Sequence, residues 1–419
     1  RRAAGDWGLT AIDPDIDGGR VLESVRQVRA RIQPHDDPDR FRAMGVDVIE
    51  GEARFVSPRE IEVDGRRIRA RRFVIATGSR PSIPPIEGLE EAGYFTHVEA
   101  FDREDLPGSL VVVGGGPIGL ELAQSYRRLG VEVTVIEWLD RLLGREEPEL
   151  ADRLADLLEA EGVRIITGHG VRRVERTDAG RRVTYAARSG GGEGALEVDE
   201  VLVATGRRPN TEELGLEEAG VATGPNGWVQ VDRKLRTSQK HIFGAGDVTG
   251  GYLFTHVADH EARAIVQNAL FPVRTKIDYD VIPWCTYTDP ELARVGLTEA
   301  EARERHGDAV SAHGYDLSDL DRAVAERAAV GCVKIVTGRG GAILGGHILG
   351  HGAGTMIAEI ALAMRTGTKL GALSSLVHPY PTMSEGVRRT ADAYRRSLLT
   401  GWRKTAVDLA LRLGRRFPA

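Results

Sequence analysis

Short apolar runs recur along the chain, several of them closed by glycine: residues 73–76, 110–113, 131–136, 163–166, 198–204 and 241–243. Runs of this kind predict strands buried on both faces of a parallel sheet. Between them, apolar residues fall at helical spacing. Val21, Val25, Val28, Ala30 and Ile32 predict a helical segment within residues 20–45, and a second helix is predicted between Gly119 and Gly130. Leu150, Leu154, Leu157 and Leu158 form one face of a third, which Pro148 opens and Gly162 stops. Alternation predicts short strands at residues 48–50, 53–56, 60–63 and 67–72. It also predicts a hairpin from 171–176 and 182–187, with a loose glycine-rich tip at 189–194.

From about Ile277 the pattern changes. Residues 278–288 are strand-like, and Thr298 with Glu301 has the spacing of a capping box before a helix. Residues 330–337 and 342–349 predict a second hairpin, and 356–367 an apolar helix. This is a mixed α+β block. After Tyr394 an apolar stripe of Leu398, Leu399, Trp402, Ala406, Leu409, Ala410 and Leu413 is ringed by Arg395, Arg396, Arg403, Lys404, Arg412, Arg415 and Arg416. The stripe predicts a basic amphipathic tail. Such a tail docks on its own protein, on a partner subunit or on an anionic membrane surface.

Residues 110–137 organise the rest. The buried run is followed by Gly114, Gly115, Gly116, Pro117, Ile118 and Gly119, so the glycines stand in G-x-G-x-x-G spacing ahead of the helix. The first glycine permits a tight turn, the second lets backbone approach a pyrophosphate, and the third lets helix and strand pack closely. The helix N-terminus adds N–H groups and a positive dipole end. Glu137 closes the second strand, where an acid accepts hydrogen bonds from a ribose 2′-OH. Strand, turn, helix, strand and acid together predict a dinucleotide site. The carboxylate repels a 2′-phosphate, which favours NADH over NADPH, and the nearby Arg141 works against that preference.

Two other segments end alike, at Ala76, Thr77, Gly78 and at Ala204, Thr205, Gly206; a third ends Ala245, Gly246, Asp247. The repetition predicts two nucleotide-binding domains of similar design, one inserted in the other. Strand-end glycines of an ordinary α/β protein are the plainer reading.

Composition narrows the partners. With 419 residues the chain has room for two to four domains at roughly 150 residues each. A hydrophobic content of 41% supports substantial cores, and a net charge of −6 argues against nucleic acid. The two cysteines, Cys285 and Cys332, are too few for a disulfide framework or a zinc cluster. No run approaches the ~20 apolar residues of a membrane span. No segment reads as a secretory leader, and a cytoplasmic protein is expected. The chain opens in mid-pattern without Met, which points to a missing N-terminus.

The order of the motifs ATGSRP, VVVGGGPIGLE, ATGRRPN, GAGDVTG, TDPELARVGLTE and HPYPTMSEG resembles the pyridine nucleotide–disulfide oxidoreductases over residues 1–394. Within them it looks most like mercuric reductases and mercuric-reductase-like proteins, close to dihydrolipoamide dehydrogenase. The resemblance implies an α/β fold of two nested Rossmann-like domains for FAD and NAD(P), with a C-terminal α+β dimerisation domain. Expected limits are 1–101 and 233–277 for the split FAD domain, 102–232 for the NAD(P) domain, 278–393 for the interface domain and 394–419 for the tail. It implies that Thr77, Gly78 and Ser79 lie beside FAD and that Asp247 binds its ribityl or pyrophosphate region. His256 then belongs to the helix start under the flavin ring. The residues at 114–119, Glu121, Glu137 and Gly206 would hold the nicotinamide cofactor. Plainer readings are a turn acid for Asp247 and a dipole-favoured first-turn acid for Glu121.

The departures are chemical. The N-terminal FAD fingerprint and the redox pair C-x-x-x-x-C of the family are absent, which truncation explains at once; a lineage that has lost its chemistry is the alternative, and in either case the chain is expected to be inactive. The spacing of Cys285 and Cys332 excludes them as that pair, and both read as small buried thiols in strands. Dihydrolipoamide dehydrogenases and glutathione reductases carry a His base five residues before a Glu; here Tyr380 stands five before Glu385, and His378 falls two residues too early. A phenol titrates near pH ~10 and is a poor base at neutral pH. Mercuric reductases also carry Tyr at this place, but their C-terminal cysteine pair is missing from this tail.

The resemblance therefore implies an FAD-dependent NAD(P)H oxidoreductase. Tyr380 and Glu385 would stand at its catalytic site, a homodimer would complete that site, and the acceptor would be a small molecule or metal ion. Packed interface aromatic for Tyr380 and a structural role for His378 are the alternatives. A dihydrolipoamide dehydrogenase, or a dinucleotide-binding dimeric module without redox activity, would be the rival functions.

Overall fold

A computed structural model describes residues 15–400, together with Gly5, Gly8, Thr10, 405–407 and 409–411. These form two compact units. One comprises the described residues up to Arg141 with Leu158–Ile277; the other comprises Leu142–Leu157 with those from Asp278 onward.

The first unit opens with α1 (Gly18–Ile32) and α2 (Pro38–Ala43). The single helical segment expected over 20–45 is broken by Pro34 and Pro38, which cannot continue a helix's hydrogen bonding. A small antiparallel sheet follows: β1 (Ala53–Ser57), β2 (Glu60–Val63) and β3 (Arg66–Arg69). Residues 48–50, expected as a strand, are irregular, because this sheet gives them no ladder partner. Next come β4 (Phe73–Ile75), β5 (Ser79–Pro81) and α3 (Leu89–Ala92).

The second layer of this unit is built on β6 (Ser109–Val113), α4 (Pro117–Arg128) and β7 (Glu132–Ile136). Leu110, Val111 and Val112 are wholly buried, because β6 lies between β7 and a later strand in a four-stranded parallel sheet. After α5 (Pro148–Ala160), whose larger part belongs to the second unit, that sheet receives β8 (Arg164–Ile166). The expected hairpin is β9 (His169–Thr177) with β10 (Gly180–Ala187), and it continues into β11 (Glu193–Val198). The loose tip therefore covers only the turn. Gly190, Gly191 and Gly192 take positive φ there, and Glu193 starts a strand that the tip's glycines concealed. The unit closes with β12 (Glu200–Val203) beside β6, β13 (Arg207–Pro209) antiparallel to β5, β14 (Ile242–Gly244) parallel to β4, and α6 (Thr255–Leu270).

The second unit is a five-stranded antiparallel sheet in the order β15, β16, β19, β18, β17. Its elements are β15 (Pro283–Thr286), β16 (Glu291–Gly296), α7 (Glu299–His306), β17 (Ser311–Asp316), α8 (Asp321–Ala325), β18 (Cys332–Thr337), β19 (Ile343–Gly350), α9 (Ala353–Thr366), α10 (Leu370–Leu373) and α11 (Glu385–Ser397). The strand-like stretch 278–288 shrinks to β15, while β16 and β17 were not foreseen. Thr298 and Glu301 form both bonds of the capping box at α7. Ala293, Val295, Val333, Ile335 and Ile348 pack against Ile357 and Ile360 of α9.

One face of this sheet carries a polar row. Trp284, Arg294, His347 and Lys334 stand opposite one another on β15, β16, β19 and β18. The row receives acids from the Leu142–Leu157 segment and from α7. Trp284 Nε1 donates to Glu146 (2.6 Å), Lys334 Nζ pairs with Glu147 and Glu299 (2.9 Å each), and Arg294 bonds the Arg145 carbonyl and Glu301. Burial opposes the charge on Lys334, but its bonds to Glu299 and Glu147 outweigh this and hold its pKa above the ordinary lysine range.

The expected tail helix is not continuous with α11, but the described residues 405–407 and 409–411, with Ala406, Leu409 and Ala410 of the stripe, are helical. α11 ends at Ser397, and Leu398 and Leu399 lie beyond it. Trp402, Arg403, Lys404, Arg412, Leu413, Arg415 and Arg416 lie outside the described residues. Among the described residues, no helix is long and apolar enough to cross a membrane.

Candidate functional site

The glycine turn after β6 is fixed by close approach. Gly114 has φ +110°, and a Cβ there would lie 2.5 Å from the Ala204 carbonyl oxygen at the end of β12. A Cβ on Gly119 would lie 2.2 Å from the Gly114 carbonyl oxygen, so only glycine lets α4 settle on its strand. Gly116 differs: a Cβ would meet nothing within 4 Å. It is the N-cap of α4, Pro117 takes the first helical position, and no side chain caps the helix. The turn thus presents uncapped N–H groups to open space, as a pyrophosphate requires.

Glu137 stands across this turn. One carboxylate oxygen accepts the Gly115 N–H (2.5 Å) and the other the Leu139 N–H (2.7 Å). Glu121 lies half-buried on α4. Residues 114–119 and Glu137 are therefore one cluster.

A second cluster gathers the other strand ends. Thr77 and Asn210 exchange side chain–to–backbone bonds at 2.8 Å, and Gly78 turns with φ +69°. The Ser79 hydroxyl donates to Asp247 Oδ2 at 2.6 Å. Arg207 Nε donates to the Ser79 hydroxyl at 2.6 Å and lies 3.3 Å from Asp247. The Gly246 N–H is held at 2.6 Å by Glu261, a carboxylate only 3% exposed on α6. Gly206 joins this cluster through its carbonyl, which accepts the Ser82 N–H (2.9 Å). Beside Arg207 a cleft of about 600 Å³ opens between Ser82, Arg208, Asn226 and Trp228. His256 lies in the first turn of α6, its ring stacked on Phe254 at 5.3 Å.

The clusters share a backbone. Ala204 packs on Gly114 from one side, and two residues later Gly206 bonds to Ser82. Two glycine turns, each facing a carboxylate, thus occupy one unit.

Tyr380 and Glu385 lie in the other unit and are not bonded to each other. The exposed Tyr380 hydroxyl donates to Asp321 (2.9 Å), and that bond raises the phenol above its ordinary value, further from use as a base. Glu385 is buried and accepts from Arg388 (2.8 Å), its neighbour one helical turn on. His378 Nε2 instead lies 3.1 Å from both oxygens of Glu359. Cys285 and Cys332 sit on β15 and β18, with two strands between them in the sheet. Burial pushes the Cys332 thiol up to about 11, so it is no thiolate at neutral pH. Among the described residues, no group of three or more His, Cys, Asp or Glu is placed to hold a metal ion.

A family model described as pyridine nucleotide-disulphide oxidoreductase matches residues 22–262, and one for that family's dimerisation domain matches 282–391. The chain belongs to the pyridine nucleotide-disulphide oxidoreductases. It is 38% identical to a mercuric reductase of Staphylococcus aureus, over 92% of this chain and 70% of that protein. It is 40% identical to a dihydrolipoyl dehydrogenase of Thermus scotoductus, over 83% of this chain and 75% of that protein. Among solved structures, LpdA of Mycobacterium tuberculosis superposes with a TM-score of 0.83 at 29% identity, covering 95% of this chain and 86% of that one. The HOCl-induced flavoprotein disulfide reductase RclA of Escherichia coli does so with a TM-score of 0.78 at 28% identity, covering 88% of each. The family depends on FAD and uses pyridine nucleotides, and its dimerisation domain is present here.

Membership accounts for the α/β unit followed by an antiparallel one. The residues present fit a dinucleotide, with an open glycine backbone at a helix start and a carboxylate beside it. Sequence reasoning missed Arg207, Glu261 and Asn210. Arg207 and Asn210 lie inside ATGRRPN, where a cation directly after a glycine turn was the available signal.

Proposed function

We propose that the chain binds pyridine nucleotide, NADH in preference, on the 114–119 turn, and FAD between the loops at Thr77 and Asp247. As a cytoplasmic homodimer it would pass reducing equivalents to a thiol, disulfide or metal-ion acceptor. When bound, the flavin supplies two-electron chemistry between nicotinamide and acceptor. The chain's own residues bind and orient. N–H groups at the start of α4 take the pyrophosphate, and Glu121, half-buried on the same helix, belongs to the nicotinamide site. Glu137 keeps lone pairs for ribose hydroxyls while bracing Gly115 and Leu139, and its charge disfavours a 2′-phosphate. Asp247, held by Ser79, accepts from polyol hydroxyls, and Thr77, Gly78 and His256 border the ring. The observation that carries this reading is that Ala204 packs on Gly114 of the nucleotide turn while Gly206, two residues on, bonds Ser82 in the loop of the Ser79 and Asp247 pair.

For the acceptor, Tyr380, an exposed hydrogen-bond donor five residues before Glu385 in sequence, supports the mercuric-reductase-like reading. A dihydrolipoyl dehydrogenase is the second reading. The His378 and Glu359 pair favours it, since a carboxylate-oriented imidazole is what a base for thiol exchange requires.

Purified protein supplied with FAD should show the flavin absorbance band, and NADH should bleach it faster than NADPH. The chain without the family's cysteine pair is expected to complete neither reaction, so turnover with Hg(II) against lipoamide, measured on a form that carries that pair, then separates the two acceptors. Protein that takes up no FAD would leave the reading without its central element, and faster bleaching by NADPH would remove the role given to Glu137.

A further inference from the structure

We propose that Arg207, braced by His97, is the positioning residue that holds Ser79 and Asp247 in place for the flavin. The inference rests on the flavin reading of these loops. Arg207 is the first residue after Gly206, and its strand β13 runs antiparallel to β5, which starts at Ser79. Its guanidinium makes three bonds in three directions. Nε donates to the Ser79 hydroxyl (2.6 Å), Nη2 to the Ser79 carbonyl (2.9 Å) and Nη1 to His97 Nε2 (3.0 Å). The Ser79 hydroxyl, in turn, donates to Asp247. Both ends of the Arg207–Asp247 ion pair are 22% exposed at the side chain, so the pair is well shielded from water. Four separate stretches of chain therefore meet at one cation.

His97 is the part with a pH signature. A guanidinium only donates, so the His97 Nε2 must accept and the ring must be neutral, with its proton on Nδ1. A second proton on the ring would turn this contact into a repulsion between two cations. Burial and the Arg207 charge hold the His97 pKa below its ordinary value; Glu99, on the same turn, opposes them while accepting the Thr96 N–H and hydroxyl. The brace is therefore complete above the ordinary histidine pKa of ~6.5 and is lost as pH falls through the lowered folded value.

The test titrates FAD into flavin-free protein, following the quenching of flavin fluorescence. Titrations are run at about pH 7.5 and in steps downward through and below the ordinary histidine value of ~6.5 for as long as the flavin-free protein stays folded. Melting curves of the flavin-free variants confirm folding. Arg207→Met should weaken FAD binding about tenfold or more, as loss of hydrogen bonds from a charged donor implies. Arg207→Lys should recover part of this. His97→Gln keeps an acceptor near Nε2 but does not titrate, so it should bind normally at the higher pH and lose the weakening that the unsubstituted chain shows at the lower.

Unchanged FAD affinity in Arg207→Met overturns the proposal, and so does a pH dependence that survives His97→Gln. If Arg207→Met fails to fold, the lysine variant and the His97→Gln pH comparison decide alone. An unsubstituted chain that binds no FAD overturns the flavin reading itself, an outcome distinct from these.

Discussion

The glycine turn at residues 114–119 and the polar row of Trp284, Arg294, His347 and Lys334 are built on opposite plans. The turn is contiguous: its glycines, its helix and Glu137 follow one another along a single strand–helix–strand unit. The row is assembled across four strands by ladder register, and its acids come from the distant Leu142–Leu157 segment and from α7. The turn leaves polar groups facing open space; the row encloses nearly all of its own. Open polar backbone suits a ligand, and enclosed, paired charge suits fastening. Substitutions should therefore separate binding from stability.

The largest effect is expected from Lys334→Met. Glu147 is 4% exposed and would be left beside Glu299 without its cation. Breaking a pair of this kind costs about 3 kcal/mol. Denaturant unfolding should show that loss, while NADH affinity stays unchanged. A parallel loss of NADH affinity would erase the distinction between the two regions.

Gly119→Ala is the converse and the next in size. Its new methyl would sit 2.2 Å from a backbone oxygen, so α4 must move off β6. Overpacking of this sort costs about 2 kcal/mol. Here the main loss should be in NADH binding, read by titration, because the displaced helix start is the proposed phosphate site. A variant with normal NADH affinity would show that the turn serves packing alone.

The same contrast explains what the chain disclosed before folding. The β6, α4 and β7 unit was legible because each element's period and end signals lie within it, and Glu137 falls inside the same window. β16 was not legible. Its buried positions come from lying between β15 and β19, and Arg294 in its middle resembles a surface residue until its partners are known. β11 was hidden by three glycines at its start. Arg207 was quoted as part of a motif, but its meaning lies 128 positions away at Ser79. Tyr380 and Glu385 show that spacing does not disclose partners: Glu385 accepts from Arg388 and the Tyr380 hydroxyl donates to Asp321. Local period and turn chemistry are readable; cross-strand partnership is not.

The smallest effect tests the row through acid. His347 is 1% exposed, donates from Nε2 to the Leu297 carbonyl (3.0 Å), and has no partner for Nδ1 among the described residues. Its neighbours across the strands are the cations Arg294 and Lys334. Burial pushes its pKa down to about 4, against the pull of Glu147; the 3.7 Å approach of Glu147 is therefore no ion pair at neutral pH. The folded form binds the proton less readily than the unfolded chain does. Stability is then complete above the unfolded value of ~6.5 and declines as pH falls towards about 4. The decline from this one group approaches about 1.4 kcal/mol per pH unit. Glu299, Glu301 and Asp316 have carboxyl pKa values below their ordinary ones, so their losses begin at lower pH. His97 and His313 also have lowered pKa values and Glu146 a raised one, so the imidazole is read as the difference between the unsubstituted chain and a His347 variant in unfolding free energy at about pH 6.5 and about pH 5. His347→Gln should flatten the slope between them. An unchanged slope would mean that the row admits a proton without cost, and that enclosure is not what distinguishes it from the turn.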